Sequence, residues 1–309
     1  LNYKNKIITI FLILLFTFNI YSLKKPEDTG KLIFWKIETE KNTVYLLGSI
    51  HAANKDLYPL DKNIEDAFDK SDYLVLEANI DEDKFLELMM TLTKKAMYND
   101  GSTLQDKISK SLYKKLESQL KKYSLSIAMV NQMKPWFSAF IINQMELDKL
   151  GYSPQYGIDL YFNNKAKDNK EILELESAEF QLDLFNNISE ESQIYFLEST
   201  LSDLKTLKKS MSLIFDLWVN GDAEGLNDLI FEKAGKERQN NKIIDEFYNA
   251  LFDQRNINMT EKIERYLQDE KTYFVIAGAG HFLGEKGIIN MLKSKGYNVT
   301  QVDKYTGND

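Results

Sequence analysis

His51 and His281 are the only two histidines in the chain. Both stand in the same local pattern, Gly48-Ser49-Ile50-His51 and Gly278-Ala279-Gly280-His281. Fourteen glycines in 309 residues make a Gly three positions before a given His roughly a one-in-twenty coincidence, so two together form a pattern. Small residues around each His (Ser49, Ala52 and Ala53; Ala279 and Gly280) let the backbone turn sharply and leave room beside the imidazole. Each Gly-x-x-His follows an apolar β-type run, residues 43–47 (TVYLL) and 272–277 (TYFVIA). Ligands of open α/β sheets bind beyond the carboxyl ends of strands. Glu77 ends a third such run, 73–76 (YLVL), and Glu176 a fourth, 171–175 (EILEL). Two imidazoles and a carboxylate are a known hydrolytic metal set that leaves positions open for water and substrate. The spacing alone serves equally well for paired general bases or for two structural turn histidines. Arg255, on a helical segment, would form a salt bridge or clamp a substrate carboxylate.

Composition narrows the chemistry further. The absence of Cys excludes disulfide scaffolds, zinc fingers, iron–sulfur clusters and thiol nucleophiles. Two histidines exclude a three-histidine metal site within one chain. No Gly-x-Ser-x-Gly elbow occurs, which argues against a serine hydrolase of that type. With 39 Lys+Arg against 47 Asp+Glu and a net charge of −8, the chain lacks the overall basic character of a nucleic-acid binder. A hydrophobic content of 43% supports a real core.

The elements that must hold these residues follow from periodicity. Residues 31–38 and 43–47 read as a β-hairpin around Thr39–Asn42. Ile64, Ala67 and Phe68 at helical spacing place a helix over 61–70, so 43–76 forms a strand–loop–helix–strand unit. The same order recurs at 272–302, with a helix over 284–294 and a last strand over 297–302. The middle reads as helical over 82–98 (with Asp81, Glu82 and Asp83 at its N-terminus), 104–122 (Lys-rich on one face), 136–150 opened by Pro135, 181–187, 190–209, 212–219, 223–233 and 241–268. The fold class expected is α/β: a duplicated strand–GxxH loop–helix–strand core forming a mixed sheet, with a large helical insertion. One domain would span 31–303, its core drawn from 31–80, 171–177 and 272–303 and the insertion from about 82–268.

Residues 1–22 carry Lys4 and Lys6 ahead of an apolar or neutral run from Ile7 to Phe18. The run is shorter than the ~20 residues of a spanning helix and has the shape of a secretory signal peptide. Cleavage after Ser22, or retention of residues 7–21 as a membrane anchor, would give an exported protein: periplasmic, extracellular or anchored facing outward.

Beyond single residues, the chain resembles the TraB/GumN family, which includes Tiki-type metalloproteases and PrgY-like pheromone-shutdown proteins. The segment VYLLGSIHAANKDLYPLDKNIEDAFDKSDYLVLEANI resembles the family's opening signature and FVIAGAGHFLGEKGIINMLKSKGYNVTQV its closing one. GIDLYF with Asp159, LESAEFQ (Ser177 in place of the usual Thr), DLWVNGD, and Arg255-Asn256 with Met259 resemble segments between them. The resemblance implies a fold related to erythromycin esterases and ChaN-like haem-binding proteins. It implies metal-dependent cleavage of peptide or protein substrates that requires His51, His281 and Glu77, with Arg255 and Glu176 as further candidates. Mixed nitrogen and oxygen ligation suits Zn, Mn or Co, with Glu77 as third ligand or general base. A non-catalytic peptide- or haem-binding protein of the same fold, and a metal-free hydrolase, are the alternatives.

Overall fold

The computed structural model describes residues 26–79 and 85–307; the leader-like segment 1–22 and the acidic run 81–83 lie outside the described residues. Six strands form one mixed sheet: β1 (Lys31–Glu38), β2 (Thr43–Ser49), β3 (Tyr73–Leu76), β4 (Glu171–Glu174), β5 (Tyr273–Gly278) and β6 (Val299–Asp303), in the order β4-β3-β5-β2-β1-β6. The hairpin expected at the start is present, with β1 antiparallel to β2. β5 lies parallel to both β2 and β3, and β4 extends the parallel set beyond β3. β5 is buried at every residue, as its unbroken apolar run demands for a parallel strand covered on both faces.

The two similar units interleave. β5 enters between β2 and β3, and its own unit closes with β6 on the far side of β1. The carboxyl ends of β2, β3 and β5 therefore meet at one edge, with Ser49 opposite Gly278 and Leu76 opposite Ile276. Beneath that edge the core packs aromatic on aromatic: Phe162 lies 5.0 Å from Phe274 and 4.9 Å from Phe68.

The longer helices are α1 (Lys62–Lys70), α2 (Phe85–Ala96), α3 (Lys110–Lys122), α4 (Pro135–Leu150), α5 (Ile158–Ala166), α6 (Ala178–Asn187), α7 (Glu190–Asp203), α8 (Leu207–Val219), α9 (Gln254–Tyr266) and α10 (Ile288–Ser294). In α1, the Asp61 carboxylate accepts the Asn63 N–H as an N-cap, and Ile64, Ala67 and Phe68 face the sheet. Among the described residues no helix is long and apolar enough to cross a membrane.

Several helix boundaries differ from the periodicity reading. The stretch 104–122 breaks before α3 because the Ser109 hydroxyl caps a new helix, accepting from the Leu112 N–H at 3.1 Å. The stretch 190–209 breaks where Thr206 Oγ1 donates to the Asp203 carbonyl at 3.0 Å and closes a turn. Two π-helical turns, Asp228–Glu232 and Asn249–Asp253, interrupt the late helices. α5 is a helix the periodicity reading did not place; it buries Ile158, Phe162 and Ala166 on one face. The second Gly-x-x-His differs from a plain loop, since Ala279–Phe282 forms a single helical turn that carries His281.

Candidate active site

Beyond β3 and β4 the parallel ladder continues for two more bonds, from Leu175 N–H to the Leu76 carbonyl at 2.8 Å and from Glu176 N–H to the Glu77 carbonyl at 2.9 Å. This backbone pairing sets Glu77 and Glu176 side by side at the strand ends. β2 delivers His51 to the same edge and β5 delivers Gly278 and His281. His51, Glu77, Glu176, Arg255 and His281, all five singled out from sequence, lie in one hydrogen-bonded or ion-paired cluster.

Glu77 is the hub. Its Oε1 accepts from Arg255 Nη2 at 2.5 Å and from Gln181 Nε2 at 3.0 Å. Its Oε2 accepts from the Gly278 backbone N–H at 2.7 Å. His51 Nε2 lies 3.7 Å from Oε2, and His281 Nε2 lies 3.7 Å from Oε1. The two imidazoles thus address the two oxygens of one carboxylate.

Each imidazole is oriented from behind. His51 Nδ1 is 2.8 Å from Asp159 Oδ2, and the Ser49 hydroxyl donates to Asp159 Oδ1 at 3.2 Å. A carboxylate accepts only, so this contact places a proton on Nδ1. Asp159 reaches His51 because α5 starts against the first Gly-x-x-His loop. The Ile158 N–H donates to the Ile50 carbonyl at 3.2 Å, and a Cβ on Gly157 would stand 2.2 Å from the His51 carbonyl oxygen. His281 Nδ1 is 2.6 Å from Asn256 Oδ1. The Asn256 amide nitrogen donates to the Lys286 carbonyl at 2.8 Å, so its oxygen faces the ring and His281 Nδ1 carries the proton. In the neutral ring the lone pair is then left on Nε2, 3.7 Å from a Glu77 oxygen in each case, and an outer partner that fixes the ring in this way prepares a histidine as a metal ligand.

Arg255 follows the π-helical turn Asn249–Asp253; turns of this kind recur at functional sites. Its guanidinium is almost wholly buried and all three nitrogens donate: Nε to both Glu176 oxygens at 2.9 and 3.1 Å, Nη2 to Glu176 Oε2 at 2.7 Å and to Glu77, and Nη1 to the Leu251 carbonyl at 3.0 Å. The carboxylates it clamps are the chain's own. The Gly278 N–H is likewise engaged by Glu77.

Charge and burial set the protonation states. Burial would raise the Glu77 pKa, but Arg255, both histidines and the Gly278 N–H outweigh it and hold the carboxylate well below its ordinary range. Burial and the neighbouring Arg255 push His281 down to about 3, against the pull of Glu77, so its ring is neutral. Burial opposes charge on His51 too, but Asp159 and Glu77 prevail and raise it. Burial raises Glu176 despite Arg255. His51 is the exposed point of the cluster, with 15% of its side chain open to solvent against 5% for Glu77 and 4% for His281.

The donor chemistry suits a divalent cation. The cluster holds three buried carboxylates (Glu77 and Glu176 on Arg255, Asp159 on His51) and one buried guanidinium, an excess of two formal negative charges when the imidazoles are neutral. Gly278 keeps open the space beside His51 Nε2, where a Cβ would stand 2.7 Å away. Among the described residues no three His, Asp or Glu side chains converge as a ready-made cage. The set is therefore an open pair of imidazoles facing a carboxylate that other groups already hold.

Three partners escaped the reading of sequence as site residues: Asn256, Gln181 and Ser49. Asn256 had a signal, its place directly after Arg255, since neighbours on a helix diverge and reach two different members of a cluster. Trp218 also acts locally, its indole N–H donating to the Gly48 carbonyl at 2.7 Å and tying the Trp-x-x-Gly-Asp turn to the first motif.

A parallel-strand edge carrying two oriented histidines around a buried carboxylate–guanidinium cluster defines the class of site. The chain matches the TraB/PrgY/gumN family over residues 33–301 and belongs to it. It is similar to the uncharacterized protein YbaP of Escherichia coli, 24% identical over 250 residues that span 81% of this chain and 87% of that protein. It is also similar to a metalloprotease TIKI homolog of Nematostella vectensis, at 21% identity over 90% of this chain and 68% of the relative, and to metalloprotease TIKI1 of Xenopus tropicalis, at 23% identity over 90% of this chain and 63% of the relative. No solved structure matches.

Proposed function

We propose that this chain is an exported, metal-dependent hydrolase acting on peptide or protein substrates, with its centre at His51, Glu77 and His281. The observation that carries the reading is the pair of Nε2 atoms, each 3.7 Å from a different oxygen of Glu77. Relatives named as metalloproteases support the reaction class, and the basic head and apolar run of residues 1–22 support export. His51 and His281 would hold a divalent ion such as Zn, Mn or Co, with Glu77 facing it as general base or third ligand. When bound, such an ion supplies a water of lowered pKa and polarises a scissile carbonyl. The chain's own residues do the rest. Asp159 and Asn256 keep each Nδ1 protonated so that Nε2 is free. Arg255, Gln181 and the Gly278 N–H hold the Glu77 carboxylate in place, and Glu176 holds Arg255. Substrate approaches from the His51 side, where the cluster meets solvent.

The test is elemental analysis of the purified protein beside His51→Ala and His281→Ala, paired with hydrolysis of a peptide library with and without a chelator. One divalent ion per chain, lost in both variants together with activity, is the expected result. A protein that takes up no ion after soaking in Zn, Mn and Co, and whose activity survives both the chelator and the two substitutions, would reject the reading.

A further inference from the structure

The Lys-rich segment singled out from sequence has no part in the site above, yet it forms a built feature. α3 carries five lysines against one glutamate in KSLYKKLESQLKK, on a chain whose net charge is −8. Ser111, Lys114, Lys115, Ser118 and Lys122 are exposed along one side of this helix and, with Gln119, line a hollow of about 430 Å³. Leu201 of α7 forms its far wall. No carboxylate lines the hollow. Glu117, the acid of this helix, is paired with Lys121 at 3.1 Å, and Lys114 and Lys115 have no acidic partner among the described residues.

One of the ammonium groups is positioned from below. Lys122 Nζ donates to Gln119 Oε1 at 2.8 Å. Gln119 is itself only 6% exposed and is fixed by donating to Glu146 Oε1 at 2.8 Å and to the Tyr123 hydroxyl at 2.9 Å. The other Glu146 oxygen lies toward Lys149, at 3.5 Å. A charge held by a buried amide is already ordered, which lowers the entropic cost of binding through that group.

We propose that this hollow between α3 and α7 binds phosphate-bearing anions. Three ammonium groups supply multiple N–H donors, and the Ser111 and Ser118 hydroxyls add directional ones; together they match a tetrahedral oxyanion. The same chemistry is offered by a free phosphate compound and by a phospholipid headgroup, and the test separates the two sources. Inorganic pyrophosphate is titrated calorimetrically into the full chain at low ionic strength. Flotation is measured with phosphatidylcholine vesicles, with and without phosphatidylglycerol. Both are repeated with Lys114→Glu/Lys115→Glu/Lys122→Glu, and with Lys55→Glu/Lys94→Glu/Lys293→Glu, which makes the same charge change at exposed sites elsewhere.

The expected result is binding that the first triple variant weakens at least about tenfold and the second hardly alters, with added salt weakening it progressively by screening. Binding to pyrophosphate alone identifies a soluble ligand, and binding to the phosphatidylglycerol vesicles a headgroup. Absence of binding to both probes, or an equal loss in both triple variants, overturns the proposal.

Discussion

Asn256 and His281 are joined by a hydrogen bond of 2.6 Å from Nδ1 to Oδ1, and its direction is fixed elsewhere, by the Asn256 amide donating to the Lys286 carbonyl. Both residues are almost completely buried, so no water substitutes for either partner. Asn256→Leu therefore leaves the buried imidazole N–H unsatisfied, a cost of about 1–3 kcal/mol. It also removes the preference for one ring tautomer. Imidazole nitrogen shifts in NMR should report a single Nδ1–H tautomer for His281 in the wild type and a mixture in the variant. An unchanged tautomer would show that another group sets it.

Asp159 performs the corresponding task for His51 with a carboxylate in place of an amide. The Asp159→Asn variant retains the shape and removes the charge. Its amide can present either oxygen or nitrogen to Nδ1, and the Ser49 hydroxyl, which donates to Asp159 Oδ1, does not settle the choice. On the proposed function, ion affinity should fall by roughly 10–100-fold, the usual loss when an outer partner of a metal-ligating histidine is changed. Titration of the metal-free protein with Zn measures it, and an affinity within twofold of wild type counts against the assignment.

Gly278 meets His51 more closely than a side chain allows. A Cβ there would stand 2.7 Å from His51 Nε2 and 3.5 Å from Glu77 Oε2. Gly278→Ala must shift the imidazole, and on the proposed function a displacement of about 1 Å at the centre should cost on the order of a hundredfold in rate. The strand backbone is ordinary here, so thermal unfolding should change far less than activity. Hydrolysis assays beside calorimetry would separate the two effects; an active Gly278→Ala protein would remove this edge of the site from the mechanism.

Arg255 is the one cation shared by two buried carboxylates. Arg255→Met leaves Glu77 and Glu176 without their cation, and breaking a buried pair by removing one partner costs about 3–5 kcal/mol. Adding Glu176→Gln to that variant removes one of the stranded charges and should recover part of the loss. Denaturant unfolding of the two single variants and the double variant closes a cycle whose coupling energy measures the pair. Arg255→Lys is not a mild substitute, because one ammonium cannot reproduce the planar fork that spans both carboxylates.

Much of this arrangement was legible before any coordinates. Histidines that are few, each preceded by glycine and each following an apolar run, mark strand ends at a sheet edge, and that reading located His51 and His281. Glu77 and Glu176 were visible as carboxylates at the ends of strand-type runs, the buried β3 and the partly exposed β4. The order β4-β3-β5-β2-β1-β6 was not legible, because an apolar run says that a strand is buried but not which neighbour it takes. The breaks before α3 and after α7 were missed because Ser109 and Thr206 are compatible with helix interiors until their hydroxyls find a backbone partner. Asn256 and Gln181 escaped as site residues because neutral amides acquire meaning only from the groups they orient. Arg255 was found, but the carboxylates it holds were identified only when the ladder beyond β3 and β4 set Glu77 beside Glu176.

Stability at acid pH provides a test that does not depend on the titration of the two histidines. Asp253 is buried and accepts from Arg238 Nη2 and from Lys286 Nζ, each at 2.5 Å. Burial alone would raise its pKa, but the bonds from Arg238 and Lys286 outweigh it and hold the carboxyl below its ordinary value. A group whose folded pKa is lowered binds its proton more readily in the unfolded chain, so stability rises with pH across the interval between the two values. The contribution of Asp253 is therefore fully present above the unfolded value of about 3.9 and is lost as pH falls through the folded one. Asp253→Asn removes it. The difference in unfolding free energy between wild type and Asp253→Asn should be largest at pH 5–6 and shrink as the pH is lowered from about 4 toward 2. A difference that stayed constant over that range would mean that the bonds from Arg238 and Lys286 hold a protonated carboxyl as well as an ionised one, and that Asp253 contributes by shape rather than by charge.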